Sequence, residues 1–254
     1  MNASLNNPTF IGTRAAMTTS SFPVSTTDSP LAASRQLLLV VADDWASTTA
    51  KLRRFERQTP ASDWSPVGDA IKVSLGQSGL AWGIGLHREV SSAAPAKREG
   101  DRCAPAGAFA ITALFGRTDN ALAQSTRLPY LAATRELKAI DDPASRHYNR
   151  IVDQSAVAEI DWTSHEDMLR GDERYAIGAV VAHNNMRPVP GAGSCIFIHV
   201  WQSENVPTAG CTAGALSDIT ELCAWLDGAA SPVLVQLPRA EYARCQAAWA
   251  LPAV

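Results

Sequence analysis

The sequence predicts a mainly β domain with a few accessory helices. Three observations carry that expectation. Short runs rich in β-branched and aromatic residues recur along the chain, separated by turn signals. Few segments show a helical period, and strands and helices do not alternate in the way that βαβ units require. At 254 residues and 46% hydrophobic composition, the chain has apolar content enough for one sizeable core, and it shows no internal repeat.

Residues 1–34 are rich in Ser, Thr, Asn and Pro and are expected to form a disordered or loosely attached tail, with a single domain over 35–254. The domain opens with a strand at Gln36–Ala42. Asp43 or Asp44 then caps a helix in which Trp45, Leu52 and Phe55 share a face. Trp64–Ser74 reads as a turn and a short strand. Gly76–Leu86 is glycine-rich but has neither the lysine nor the spacing of a phosphate loop. Lys97–Phe109 is a charged turn leading into a strand at Phe109–Phe115. Pro129–Ile140 has no clear period, and Asp141-Asp142-Pro143 is a turn signal.

Trp162–Arg170 reads as a helix capped by Thr163 or Ser164, with Met168 and Leu169 turned inward. A strand follows at Tyr175–His183. Cys195–Trp201 is a second strand, whose alternation puts Cys195, Phe197, His199 and Trp201 on one face and Ile196, Ile198 and Val200 on the other. Ser217 caps an amphipathic helix with Leu216, Ile219, Leu222, Cys223 and Leu226 on its apolar side and Gly228 as its stop. A strand at Pro232–Leu237 and a short helix carrying Tyr242 and Trp249 complete the chain.

A formal charge of −3 with no run of like charges excludes the basic footprint of a nucleic-acid binder and a polybasic membrane patch. The longest apolar run near the N-terminus, Leu37–Ala42, is far too short for a transmembrane segment. Five cysteines without tight spacing do not make a disulfide framework. Residues 1–34 show no charged segment followed by an apolar core, so a standard secretory signal is not expected there.

Chemistry concentrates between Gly193 and Gly214. A lone cysteine is ordinarily a small buried hydrophobe, and Cys223, on the apolar side of its helix, fits that role. Cys211 does not, because Gly210, Thr212, Ala213 and Gly214 around it make a small-residue turn. Such a turn leaves a sulfur accessible, and the N–H groups of Gly210 and Cys211 become candidates for an oxyanion hole. His199, at the end of the preceding strand, is the candidate base, expected to hold the thiol as a thiolate–imidazolium pair. No Asp or Asn nearby is an obvious partner for its second nitrogen, which leaves a backbone carbonyl.

These residues resemble the L,D-transpeptidase catalytic domain family, whose signature is a histidine, a loop, then Ser/Thr-X-Gly-Cys. His199 and Thr208-Ala209-Gly210-Cys211 match it. The Gly100-Asp101 and Pro105-Ala106-Gly107 turn, and the strand ending His183-Asn184 with Gly193-Ser194 beyond it, are similar to further family features. The resemblance implies one domain with a β-sandwich or barrel. It implies Cys211 attack on the bond between meso-diaminopimelate and D-alanine in a peptidoglycan stem peptide, with transfer of the acyl group to an amine (a 3→3 crosslink) or to water. It further implies no cofactor, no metal, peptidoglycan as partner, carbapenem-type β-lactams as covalent inhibitors, and a periplasmic or envelope location. Thr212-Ala213-Gly214 stands where an Arg or Asn is frequent in the family.

Around the pair, His183, Asn184, Thr208 and Trp201 are the candidate substrate-binding residues, with Glu166 and Asp142 as acids for the diaminopimelate amine. Two other readings stay open. Cys195, His199, Cys211 and His183 could bind zinc, or the domain could be a non-catalytic peptidoglycan-binding or effector-like module with the same fold.

Overall fold

A computed structural model of the protein describes residues 29–88 and 94–254. Its strands are β1 (Gln36–Ala42), β2 (Thr49–Glu56), β3 (Ser65–Ser74), β4 (Leu80–Trp82), β5 (Ala104–Arg117), β6 (Tyr130–Ala133), β7 (Leu137–Ala139), β8 (Ile151–Asp153), β9 (Glu166–Asp167), β10 (Ile177–Val181), β11 (Phe197–Val200), β12 (Thr212–Gly214) and β13 (Val233–Pro238). The helices are α1 (Leu122–Ser125), α2 (Leu216–Trp225) and α3 (Arg239–Trp249). The mainly β expectation holds.

The main sheet runs β10-β11-β12-β3-β2-β1-β13-β5, and β5 pairs back to β10, so these strands close a barrel-like ring. The leucine-rich β1 is buried along nearly its whole length, as a strand covered on both faces must be. It pairs antiparallel with β2 and parallel with β13. α2 packs on β10, β11 and β12, and α3 on β13 and β1. A small sheet of order β8-β7-β9 lies apart from the ring. It contributes Ala139, with Leu137 and Ile151 at the margin, to a second apolar cluster built on Phe115, Tyr175, Phe197, Met168, Cys195 and Cys211.

β11 divides the two clusters as its alternation predicts. Ile196, Ile198 and Val200 enter the main core, and Cys195 and Phe197 enter the second cluster. The ring of Phe115 sits edge-on to both Tyr175 and Phe197, at 5.3 and 5.1 Å between centroids. Gly178 makes room for it: a Cβ there would lie 2.4 Å from Phe115 Cζ and 2.5 Å from the Ile198 carbonyl oxygen. Because one of those neighbours is backbone, Gly178→Ala should destabilise the domain by about 3 kcal/mol or more. Denaturant titration of the two proteins checks this.

Several expectations need correction. No helix follows Asp43-Asp44. Asp44 closes a tight turn by accepting Ala46 N–H at 2.9 Å, and the next residues form β2. Leu52 and Phe55, three apart, lie on opposite faces of a strand paired on both sides and are both buried; that spacing imitated a helix face. Trp162–Arg170 is extended around β9, whose pairing with β7 overrides its helical composition. Met168 is therefore buried while Leu169 is exposed. Ser217 does not cap α2: Ala215 precedes the helix with no side-chain cap, Leu216 is exposed, and Leu226 ends it before Gly228.

The tail expected through residue 34 is shorter at its inner end. Leu31 is fully buried, and Ser29 Oγ donates to the Trp249 carbonyl at 2.9 Å. The remainder of that tail, residues 1–28, lies outside the described residues. Among the described residues no helix is long and apolar enough to cross a membrane.

Candidate active site

Sheet register brings the histidine and the cysteine together. β11 runs parallel to β12 with Ile198 opposite Thr212 and His199 opposite Ala213. Paired residues point the same way and side chains alternate, so Cys211, two residues before Ala213, shares a face with His199. Sheet spacings put the two Cα atoms roughly 8 Å apart on the diagonal. A cavity of about 220 Å³ opens beside them, lined by His199, Trp201, Thr208, Ala209 and Cys211 on one side and by Glu166, Arg170, Arg174 and Tyr175 on the other.

The glycine-rich segment after β3 positions the cysteine turn. Thr208 N–H donates to the Leu75 carbonyl at 2.8 Å, and Gln77 N–H donates to the Thr208 carbonyl at 2.9 Å. Thr208 Oγ1 donates to the Cys211 carbonyl at 2.6 Å and accepts Gly210 N–H at 3.1 Å. Gly210 has φ +151°, and a Cβ there would lie 3.1 Å from the Cys103 carbonyl oxygen, so the turn requires glycine. The Gly210 N–H is thus already bonded, which corrects its expected part in an oxyanion hole. Asp101 secures the neighbouring loop by accepting Arg98 N–H, Cys103 N–H and Lys97 Nζ at 2.5–2.8 Å.

The Cys211 sulfur accepts Phe197 N–H at 3.3 Å and donates to the Cys195 carbonyl at 3.6 Å. His199 Nδ1 lies 2.7 Å from the Val200 carbonyl. A carbonyl can only accept, so Nδ1 carries the proton and Nε2 is left as the acceptor. The orienting group is the backbone carbonyl that the sequence left available. Tyr175 meets the imidazole edge-on, 5.3 Å between centroids.

The expected thiolate–imidazolium pair is not the resting state. Burial pushes the Cys211 thiol up to about 12, with the Glu166 carboxylate adding to the shift. Burial also lowers His199 to about 4, opposed by its bond to the Val200 carbonyl. Both groups are neutral near pH 7, and they are not hydrogen-bonded to each other.

Of the other candidates, Trp201 and Thr208 line the cavity. His183 and Asn184 do not. His183 accepts Ile84 N–H at Nδ1 (3.2 Å) and donates from Nε2 to the Ala192 carbonyl (3.0 Å), almost completely buried. Asn184 spends its amide on Val189 and Gly193. Both fix backbone and have no face toward a substrate. Asp142 is likewise committed, to Ala144 N–H, Thr163 N–H and Thr163 Oγ1.

Glu166 lines the cavity, bonded by the Tyr175 hydroxyl, and burial raises its carboxyl. Arg170, Arg174 and Tyr175 are cavity residues that the sequence reading missed. Arg170 lay in the segment read as a helix and Tyr175 at the start of the next strand; the signal was the mixed-charge stretch from Glu166 to Arg174. Among the described residues no three His, Cys, Asp or Glu come together as a metal site, and all five cysteines are free thiols. Neither observation favours the zinc reading.

The two buried histidines predict an acid-sensitive fold. Burial lowers His183 as well, to about 4. The unfolded chain binds a proton at each ring near pH 6.5, and the folded chain does so only near pH 4. Stability should therefore be complete above about pH 7 and fall by about 3 kcal/mol per histidine on acidification to pH 4. Urea midpoints measured across that range check this.

A family model for the L,D-transpeptidase catalytic domain (YkuD) matches residues 42–235, from the last residue of β1 into β13. Searches against curated proteins and against solved structures gave no match. The matched span covers most of the chain and includes both His199 and the Cys211 turn, so the protein belongs to the L,D-transpeptidase catalytic domain family.

Proposed function

We propose that the protein is a cysteine acyltransferase of peptidoglycan stem peptides. It breaks the bond between meso-diaminopimelate and D-alanine and passes the acyl group to an amine or to water. The observation that carries this reading is the shared face of His199 and Cys211 on one 220 Å³ cavity, in a chain of this family.

Because both groups rest neutral, activation accompanies attack. The Cys211 sulfur adds to the stem carbonyl as its proton passes to His199 Nε2, and the Phe197 N–H that already points at the sulfur stabilises developing negative charge there. Collapse of the tetrahedral adduct breaks the C–N bond, and His199 returns the proton to the departing D-alanine amine. An acceptor amine, or water, then adds to the thioester with His199 as base. The sulfur leaves and takes the proton back.

Glu166, Arg170 and Arg174 all line the cavity, and this mix of charges suits a substrate bearing both an ammonium and a carboxylate. Trp201, half-buried at the mouth, offers a surface for the stem. A peptidoglycan substrate supports a location in the cell envelope.

Mass spectrometry of muropeptides incubated with the protein tests the reading. Crosslinked dimers or tripeptides with released D-alanine support it. Unchanged tetrapeptides from every stem, together with no carbapenem adduct on Cys211, would leave a non-catalytic domain that keeps the fold.

A further inference from the structure

Three separated segments interlock behind the nucleophile. Asn149 is buried, with its own backbone at φ +59°. Its Nδ2 donates to the carbonyls of His183 (2.9 Å) and Asn184 (2.8 Å), and its Oδ1 accepts Cys195 N–H (2.9 Å). Cys195 is held at φ +53°, a left-handed conformation that costs a residue other than glycine free energy and persists only where the surroundings impose it. The neighbours on both sides are tied as well: Tyr148 Oη and Ser194 Oγ both donate to Glu99 Oε2, at 2.5 and 2.7 Å. The consequence of this clamp is the direction of one carbonyl. Cys195 O accepts the thiol proton of Cys211 at 3.6 Å.

We infer that Asn149 is a positioning residue for the Cys211 nucleophile, acting through the strained backbone of Cys195. The Cys195 carbonyl holds the S–H, while Phe197 N–H fixes the sulfur. An acceptor for the S–H favours the neutral thiol. The clamp therefore adds to the effect of burial and holds the S–H of Cys211 in one orientation until a substrate carbonyl arrives. This gives a purpose to the SRHYN and GSC segments of the sequence and to the two residues His183 and Asn184. Those two anchor the clamp by their carbonyls, and no substrate contact is needed to explain them. The catalytic part of the inference rests on the acyltransferase reading. The thiol part does not.

The test uses Asn149→Gly and Asn149→Asp in the full chain. Glycine removes the clamp without opposing the left-handed backbone at 149. Aspartate keeps an oxygen for Cys195 N–H. Iodoacetamide alkylation is followed from pH 6 to 10 by peptide mapping, with Cys223 as internal reference because it is fully buried elsewhere in the core. Asn149→Gly should alkylate at Cys211 about three- to tenfold faster near pH 8, with Cys223 unchanged and a similar gain across the range, all of which lies below the titration of the thiol near 12. Asn149→Asp should alkylate at Cys211 no faster than the wild type at any pH in that range.

An unchanged Cys211 profile in Asn149→Gly overturns the inference. So does equal acceleration at Cys223, which would report general loosening, or an acceleration at Cys211 in Asn149→Asp matching that of glycine. Muropeptide turnover gives the second arm, where Asn149→Gly should lower kcat about tenfold with KM unchanged. If the wild type turns over no muropeptide, the acyltransferase reading fails while the alkylation result still decides the clamp.

Discussion

Cys211→Ser is expected to abolish muropeptide turnover, by on the order of 10³-fold or more, while the melting temperature stays within about 2 °C of the wild type. The two halves of that result have separate causes. A serine hydroxyl can accept Phe197 N–H and donate to the Cys195 carbonyl as the thiol does, and the loss of volume is small, so the fold has little reason to respond. The hydroxyl is a far weaker nucleophile, and His199 near 4 is too weak a base to compensate. Turnover by single-substrate kinetics and melting by circular dichroism, measured on the same preparation, check the pair. Residual activity within tenfold of the wild type would remove Cys211 from the chemistry.

His199→Ala should slow acylation about 10²- to 10⁴-fold, yet leave alkylation of Cys211 by iodoacetamide at pH 7 nearly unchanged. That combination separates two ways a histidine can serve a cysteine. In a resting ion pair, the imidazolium holds the thiolate, and its removal suppresses both reactions. Here the thiol rests protonated near 12 because it is buried and faces Glu166, so the imidazole contributes only when a proton must move. Alanine also deletes a ring packed on Tyr175 and should cost about 1–3 kcal/mol of stability. His199→Gln, which keeps more of the volume, serves as the control. A parallel fall in alkylation would restore the ion pair.

The parts of this protein that were legible in its sequence are those decided by local periodicity. β1 begins and ends where its leucine run does, and the alternation of Cys195–Trp201 sorted core from site face correctly. That His199 and Cys211 lie at neighbouring strands was legible because histidine, turn and cysteine are close in the chain. What stayed hidden depends on partners remote in sequence. β2 and β9 became strands because β1, β3 and β7 were there to pair with them. Glu166 reaches the cavity from a different sheet than His199, and Arg170 from the irregular segment after it, and no spacing announces either. The thiol's rise to about 12 is equally remote in origin, a product of burial among Phe115, Tyr175 and Phe197. His183 carries catalytic-looking chemistry, but both its nitrogens are committed to backbone.

The parallel pairing of β1 with β13 joins residues 36–42 to residues 233–238. As the chain emerges from the ribosome, β1 must therefore wait for residues 233–238 to be translated, and until then it exposes an unpaired hydrophobic edge. Such a nascent chain cannot complete its barrel before β13 has been made, and it stays open to chaperones until then.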